Sequence, residues 1–232
     1  MPARPAALML MCAGFGTRMG ALTADRPKPM IEVAGRPLID HALALGDEAG
    51  IARKVVNLHW RPEPLARHLA GRADVALSHE SPEILDTAGG VRAALGLLGP
   101  GPVFILNTDA VWTGENPLRT LAQAWRPGMG ALLSLAPVGA VRGRTGAGDF
   151  TLGPDGRIAR RGGMVYLGAQ IMDGAVLAAL PEGPRPMGPV WDGLIAEGRA
   201  FGCLHRGGWC DVGHPGGIAE AETMLAEEAG DG

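Results

Sequence analysis

At 232 residues, with a formal net charge of −3 and aromatic side chains at only 4%, the chain can bury a substantial core. It has neither the basic footprint nor the stacking rings of a nucleic-acid binder. Apolar residues at 47% against 19% charged exclude disorder. The apolar run at residues 6–11 is too short to cross a bilayer and leads into glycines rather than a cleavage site, so a cytoplasmic protein without a signal peptide or membrane partner is expected. Cys12, Cys203 and Cys210 are too sparse and odd in number for a disulfide framework.

Short apolar runs at residues 7–11, 54–58, 74–78 and 103–107 read as buried strands, and amphipathic stretches at 38–49, 64–70, 87–98 and 117–124 as helices. Strand and helix alternate, which predicts an α/β protein built on a doubly wound parallel sheet. From about residue 131 the pattern changes. Strands are expected at 131–136, 149–152, 157–160, 164–171 and 199–205, and helices at 173–180, 190–197 and 215–228. Gly153-Pro154-Asp155-Gly156 marks a hairpin turn among them. No charged or serine-rich linker separates the halves, so residues 1–232 read as a single domain. Its later part, about 131–232, adds mixed strands at one end of the sheet formed by about 1–130.

The first strand runs into Ala13-Gly14-Phe15-Gly16-Thr17-Arg18-Met19-Gly20. Glycines at such an exit let backbone N–H groups approach an anion closely, and phosphate is the natural ligand. Spacing weakens two rival motifs: the third glycine of a dinucleotide fingerprint falls one residue late at Gly20, and Gly16 lacks the Lys-Ser/Thr pair of a P-loop. Of 21 basic residues only Lys28 and Lys54 are lysines. A lysine presents a compact point charge, unlike arginine's planar fork. For Lys54 chance is explanation enough. Lys28 lies between Pro27 and Pro29, which predicts an extended, rigid segment holding one ammonium in a fixed place. Asp109 closes the 103–107 strand at the carboxyl end, where an aspartate either caps the next element or faces a ligand.

The continuous run from Leu10 to Ile39, with Arg26-Pro27-Lys28-Pro29-Met30 after the glycine turn, resembles the signature of the nucleotidyltransferase family, the nucleoside-diphosphate-sugar pyrophosphorylases. The resemblance implies a Rossmann-like mixed sheet and Mg²⁺-dependent transfer of a nucleoside monophosphate from a nucleoside triphosphate to a sugar 1-phosphate. Ala13, Gly14, Gly16, Thr17 and Arg18 would then wrap the triphosphate. Arg18 would neutralise the outgoing pyrophosphate, and Lys28 would bridge the reacting phosphates. Asp109, in Asn107-Thr108-Asp109 where relatives often have Asn-Gly-Asp, would hold Mg²⁺ together with Asp211 of Trp209-Cys210-Asp211-Val212-Gly213-His214. His214 stands where many relatives have threonine.

By the same resemblance Asn107 and the small turn Ala88-Gly89-Gly90 would face the nucleotide, with backbone groups reading the base. Gly148, Asp149, Tyr166 and Gly168 would face the sugar phosphate. As a residue, Tyr166 reads more readily as a core or rim ring with one polar tip than as a ligand contact. Asp86 or Thr87 is expected to cap the helix that follows. Cys203, His205, Cys210 and His214 offer zinc-type ligands, although C-x-H-x4-C-x3-H is no usual zinc spacing and buried cysteines are the plainer reading.

The chain is most similar to short members that use UTP with N-acetylmuramate 1-phosphate or a similar amino-sugar phosphate. Alternatives are a mannose-1-phosphate guanylyltransferase, a CTP-dependent enzyme acting on a phosphorylated alcohol, a non-catalytic nucleotide-binding relative, or a nicotinamide oxidoreductase using the same turn.

Overall fold

The computed structural model describes residues 4–230; residues 1–3 and 231–232, the ends of the whole-chain span expected above, lie outside the described residues. Strand β1 (Ala7–Met11) leads through 3₁₀ turns at Thr17–Thr23 and Lys28–Met30 to a small hairpin of β2 (Glu32–Val33) and β3 (Arg36–Pro37), then to helix α1 (Leu38–Glu48). Next come β4 (Arg53–Leu58), α2 (Pro62–Leu69), β5 (Val75–His79), α3 (Asp86–Ala93) and α4 (Leu95–Leu98). β6 (Val103–Asn107), β7 (Ala110–Trp112) and α5 (Pro117–Ala124) complete the first half. The second half holds β8 (Ala131–Pro137), β9 (Gly148–Leu152), β10 (Ile158–Gly162) and β11 (Met164–Met172). It ends with α6 (Gly174–Ala178), α7 (Gly188–Ala196), β12 (Ala200–Leu204), β13 (Trp209–Asp211) and α8 (Gly216–Gly230).

Among the described residues nine strands form one sheet, with β10-β9-β11-β6-β1-β4-β5 in order and β8 and β12 attached through β11. β6, β1, β4 and β5 are parallel; β11 runs antiparallel to β6, and β9 and β10 extend that side as the hairpin expected at residues 153–156. The chain moves outward from β1 to β4 and β5, then returns to place β6 on the other side of β1. That reversal opens a crevice beyond the carboxyl ends of β1 and β6.

Alternation along the strands sorts side chains onto two faces. Met9, Val55 and Ile105 pack with Val91, Leu98, Leu177 and Leu194 from α3, α4, α6 and α7. Leu8, Leu10, Val56, Phe104 and Leu106 pack with Leu43, Leu65 and Leu121 from α1, α2 and α5. Helices on both sides leave the central strands buried except at their ends, which is why they read as nearly continuous apolar runs.

Four sequence expectations need correction. The helix expected over 87–98 is broken at Ala94, whose N–H is shared between the Gly90 and Val91 carbonyls. Neither Asp86 nor Thr87 caps it: Leu85 occupies the N-cap without a side-chain bond, and the Asp86 carboxylate takes the adjacent Thr87 N–H instead. Lys28 is not extended but begins a 3₁₀ turn, and only Pro27 before it is extended. Lys54 is no accident of composition. It is 2% exposed and donates to Asp74 Oδ2 at 2.7 Å and to the Ile51 carbonyl at 2.6 Å, with Asp47 Oδ1 2.8 Å away. Arg72 bridges the same two carboxylates, so four charges tie the end of α1 to β4 and β5.

Candidate active site

The exit from β1 is built around two glycines with different reasons to be glycine. Gly16 has φ +63°, and a Cβ there would stand 2.9 Å from Thr23 Cγ2 and 3.0 Å from Lys28 Cβ. Thr23 Oγ1 donates to the Gly16 and Gly20 carbonyls, which pins the turn. At Gly14 a Cβ would meet nothing within 4 Å, although the residue lines a cavity of about 300 Å³. The space beside Gly14 is thus left for something other than protein.

That cavity is the crevice between β1 and β6. Ala13, Gly14, Gly16, Thr17 and Arg18 line one side; Lys28, Asn107 and Asp109 line another. Its floor was not anticipated. The Cys12 N–H donates to Asn57 Oδ1 at 2.6 Å, Asn57 Nδ2 donates to Glu80 Oε1 at 2.7 Å, and Glu80 Oε2 accepts the Leu85 N–H at 2.7 Å. Asn57 and Glu80 are buried and fully engaged, fixing β1, β4 and the turn before α3 relative to one another. For Asn57 the available signal was a single polar residue inside the otherwise apolar end of β4; Glu80, after the polar Ser78 and His79, offered none. Thr108, where relatives often carry glycine, donates to the Met11 carbonyl at 2.8 Å and so ties the ends of β6 and β1 together. The neighbouring Cys12 thiol is driven up to about 12 chiefly by burial, with the Asp109 charge adding to it, and stays neutral.

Asp109 and Asp211 are separated by nearly half of the chain and meet through a short ladder. β7 and β13 pair antiparallel with Asp211 opposite Ala110, and the Val212 N–H donates to the Asp109 carbonyl at 2.8 Å. Lys28 Nζ donates to Asp109 Oδ2 at 2.8 Å with its side chain only 11% exposed. The Asp211 carboxyl is raised above the usual carboxylate range, first by burial and then by the Asp109 charge, while Lys28, Arg18 and His214 pull it down. A Cβ at Gly213 would lie 2.8 Å from Asp211 Oδ2 and 2.9 Å from an Arg18 terminal nitrogen, so glycine permits Arg18 and Asp211 to converge. Two carboxylates at the mouth of a phosphate-sized cleft, one of them costly to ionise alone, suit a hard divalent cation that takes its remaining oxygens from a ligand and water.

A second cavity of about 450 Å³ adjoins the first, and Arg18, Asn107 and Asp109 line both. Its other walls include Arg144, Tyr166, Gly168, Trp209, Asp211 and His214. Gly168 belongs there because β11 bulges between Tyr166 and Gln170; its φ is +85°, and a Cβ would press on Asn107 at 3.0 Å. Tyr166 is a packed ring at the edge of this cavity. Its ring packs edge-on against Trp191 with centroids 4.9 Å apart while it also borders the cavity, and burial raises its hydroxyl well above the ordinary value so that it stays protonated.

The structure does not bring every expected residue to these cavities. Ala88, Gly89 and Gly90 are buried in α3 behind the wall, where Ile84, Asp86 and Thr87 form the lining instead. The N–H groups of Ala88 and Gly89 are taken by the Arg185 carbonyl, so they are not available to read a base. Gly148 is packed against the backbone of Gly162 and Met164 in the β9–β10 hairpin. Asp149 spends both oxygens on protein, accepting from Arg144 at 2.7 Å and from the Tyr166 N–H at 2.9 Å. The zinc reading also fails: among the described residues no three His, Cys, Asp or Glu side chains are placed to hold a metal. His205 packs against Trp112, Cys210 is buried, and His214 Nε2 donates to the Gly143 carbonyl at 3.0 Å. No helix among the described residues is long and apolar enough to cross a membrane.

Comparison with known proteins shows the family and the fold. Residues 8–146 match the family model of the MobA-like NTP transferase domain. The chain is 37% identical over 98% of its length to the whole of an N-acetylmuramate alpha-1-phosphate uridylyltransferase from Caulobacter vibrioides, and 30% identical over 93% of its length to 96% of a protein of the same name from Neisseria meningitidis. Among solved structures, a UDP-glucose pyrophosphorylase complexed with UDP-glucose superimposes with a TM-score of 0.78 at 14% identity, covering 97% of this chain and 99% of its own. HddC from Yersinia pseudotuberculosis gives 0.76 at 17%, covering 95% and 99%. These two likenesses establish the shared fold.

Proposed function

The chain belongs to the MobA-like NTP transferase family and is a nucleotidyltransferase, and from that premise we propose that it joins UTP and N-acetylmuramate 1-phosphate into the nucleotide sugar with release of pyrophosphate. The observation that carries this reading is the pair of adjoining cavities sharing Arg18, Asn107 and Asp109. One has a glycine-lined wall suited to a triphosphate, and the other is a larger chamber suited to a sugar. Family membership removes the nicotinamide oxidoreductase alternative. The division of labour follows the sheet: residues of about 1–130 bind the nucleotide, and about 131–232 supply the acceptor chamber and Asp211.

In the proposed reaction an oxygen of the acceptor phosphate attacks the α-phosphorus of UTP in line. The bond from that phosphorus to the bridging oxygen breaks, and pyrophosphate leaves with the electron pair. The acceptor phosphate is already anionic near neutral pH, so no protein base is required and the chain works by positioning and neutralisation. Mg²⁺, held by Asp109 and Asp211, would supply the positive charge that draws the triphosphate into reactive alignment. Arg18 at the junction neutralises the departing β- and γ-phosphates. Lys28 turns from Asp109 to the phosphates on either side of the new bond. Backbone N–H groups at residues 13–17 hold the triphosphate oxygens, and the raised thiol of Cys12 keeps an additional negative charge away from them.

The test is a pyrophosphate-release assay with UTP, GTP, CTP and dTTP against N-acetylmuramate 1-phosphate, mannose 1-phosphate and phosphocholine, with and without Mg²⁺. Turnover confined to UTP, the amino-sugar phosphate and added Mg²⁺ is expected. Preference for GTP with mannose 1-phosphate, or for CTP with phosphocholine, would replace the substrate assignment. Silence with all of them would overturn the assignment of UTP and N-acetylmuramate 1-phosphate.

A further inference from the structure

The acceptor cavity contains a cation that the nucleotide does not need. Of its charged lining groups, Arg18 and Asp109 also border the nucleotide cleft, and Asp211 belongs to the carboxylate pair between the cavities. Arg144 lines only the acceptor cavity, and its side chain is 30% exposed. One terminal nitrogen donates to Asp149 Oδ1 at 2.7 Å; its Nε and other terminal nitrogen have no protein partner among the described residues. Asp149 is in turn anchored by the Tyr166 N–H, so the guanidinium is held by a fixed carboxylate with donors to spare.

The backbone below Arg144 is fixed with equal care. The Arg142 N–H donates to the Trp209 carbonyl, and the Asp211 N–H donates to the Arg142 carbonyl at 2.9 Å, which joins this segment to β13. Gly143 has φ +70°, and a Cβ there would collide with the Asp211 carbonyl. Glu220 of α8 accepts the Gly143 N–H at 2.7 Å, and His214 holds the Gly143 carbonyl. Strand, helix and glycine therefore set Arg144 relative to Asp211, on the part of the second cavity's lining that the first cavity does not share.

We propose that Arg144 binds a carboxylate on the acceptor, so that this cavity selects an acidic sugar 1-phosphate over the same sugar without the acid. The inference rests on the proposed nucleotidyl transfer to a sugar 1-phosphate and adds the feature that discriminates between acceptors. The phosphate sits at Arg18 and Asn107, the sugar lies against Trp209 and Tyr166, and the acid meets the free donors of Arg144. The planar fork of Arg144, already held on one side by Asp149, gives such an ion pair a specific geometry.

The experiment compares N-acetylmuramate 1-phosphate with N-acetylglucosamine 1-phosphate, which lacks the lactyl carboxylate, by kcat/KM at saturating UTP. The wild-type protein is measured first and is expected to favour the acidic acceptor. Arg144→Met is expected to reduce the acid-to-neutral ratio about 10- to 100-fold, as loss of a charge-assisted contact does, with the change mainly in acceptor KM. Arg144→Lys, which retains the charge and can still reach Asp149, is expected to recover part of the ratio and covers the case in which the methionine variant does not fold. A wild-type ratio near one overturns the inference and leaves the transferase reading standing. Equal losses with both acceptors in Arg144→Met also overturn it, because they identify a strut for Asp149. Turnover of neither acceptor by the wild type defeats the transferase reading, and this inference with it.

Discussion

Gly14 and Gly16 lie two residues apart in the same turn, yet the structure assigns them separable costs. Alanine at Gly16 must adopt φ +63°, which costs about 1–2 kcal/mol for a residue with a Cβ. Its methyl would also press on Thr23 at 2.9 Å and on Lys28 Cβ at 3.0 Å. For a chain of this size about 1–2 kcal/mol corresponds to roughly 2–8 °C in Tm. Because Lys28 must shift, the rate should fall as well, and misplacement on the order of 1 Å can cost about 100-fold. Alanine at Gly14 meets no protein atom within 4 Å, so stability should be unchanged, or slightly higher through a less flexible unfolded chain. Its methyl would occupy the ligand space, and loss of charge-assisted N–H contacts to phosphate at about 1.5–3 kcal/mol should raise the KM for UTP roughly 10- to 100-fold. The assay combines thermal melting by circular dichroism with pyrophosphate-release kinetics on both variants. If Gly14→Ala melts several degrees early while binding UTP normally, or Gly16→Ala is wild-type in both measurements, the assignment of one glycine to the ligand and the other to the fold is refuted.

Asp109→Asn should retain the fold but lower pyrophosphate release by at least about 100-fold, the scale of losing one preorganised electrostatic contact, with titration of Mg²⁺ by activity shifted to higher concentration. Lys28→Arg should also be slow, because a planar fork 2.8 Å from Asp109 in a nearly closed space cannot replace a point charge; a wild-type kcat would refute this. Asp74 is held far below the usual carboxylate range, first by Arg72 and then by Lys54. A depressed folded-state value means its stabilisation is complete above the unfolded pKa near 3.9 and is lost as pH falls below it. The Tm deficit of Asp74→Asn should therefore be largest near neutral pH and shrink progressively below about pH 4; a pH-independent deficit would contradict the ion network as its source.

What was legible in the sequence was whatever is contiguous and local. The apolar runs at 7–11 and 103–107 predicted two central strands because side chains buried on both faces leave no polar positions in between. The turn from Ala13 to Arg18 and the Pro27-Lys28-Pro29 element suggested a phosphate site because glycine, proline and charge act through the backbone within a few residues of one another, and the structure lines one cavity with both. Extra mixed strands at one end of the sheet could be expected from the hairpin signal at 153–156 and the missing linker.

The remainder was decided by register and packing between distant segments. Asp109 and Asp211 face one another because three residues of β13 pair with three of β7, ladders too short for any periodicity to announce. Gly168 reaches Asn107 only through the β11 bulge, whereas Ala88, Gly89 and Gly90, equally small and equally plausible by composition, have two of their N–H groups taken by the Arg185 carbonyl. Lys54 looked incidental until its ammonium was found between Asp47 and Asp74. Arg144 is one arginine among many in the chain, distinguished only by the strand, helix and carboxylate that hold it at the acceptor cavity. Local chemistry was enough to raise the expectation of a phosphate site. Long-range pairing, which depends on all the intervening chain, determined what can lie beside it.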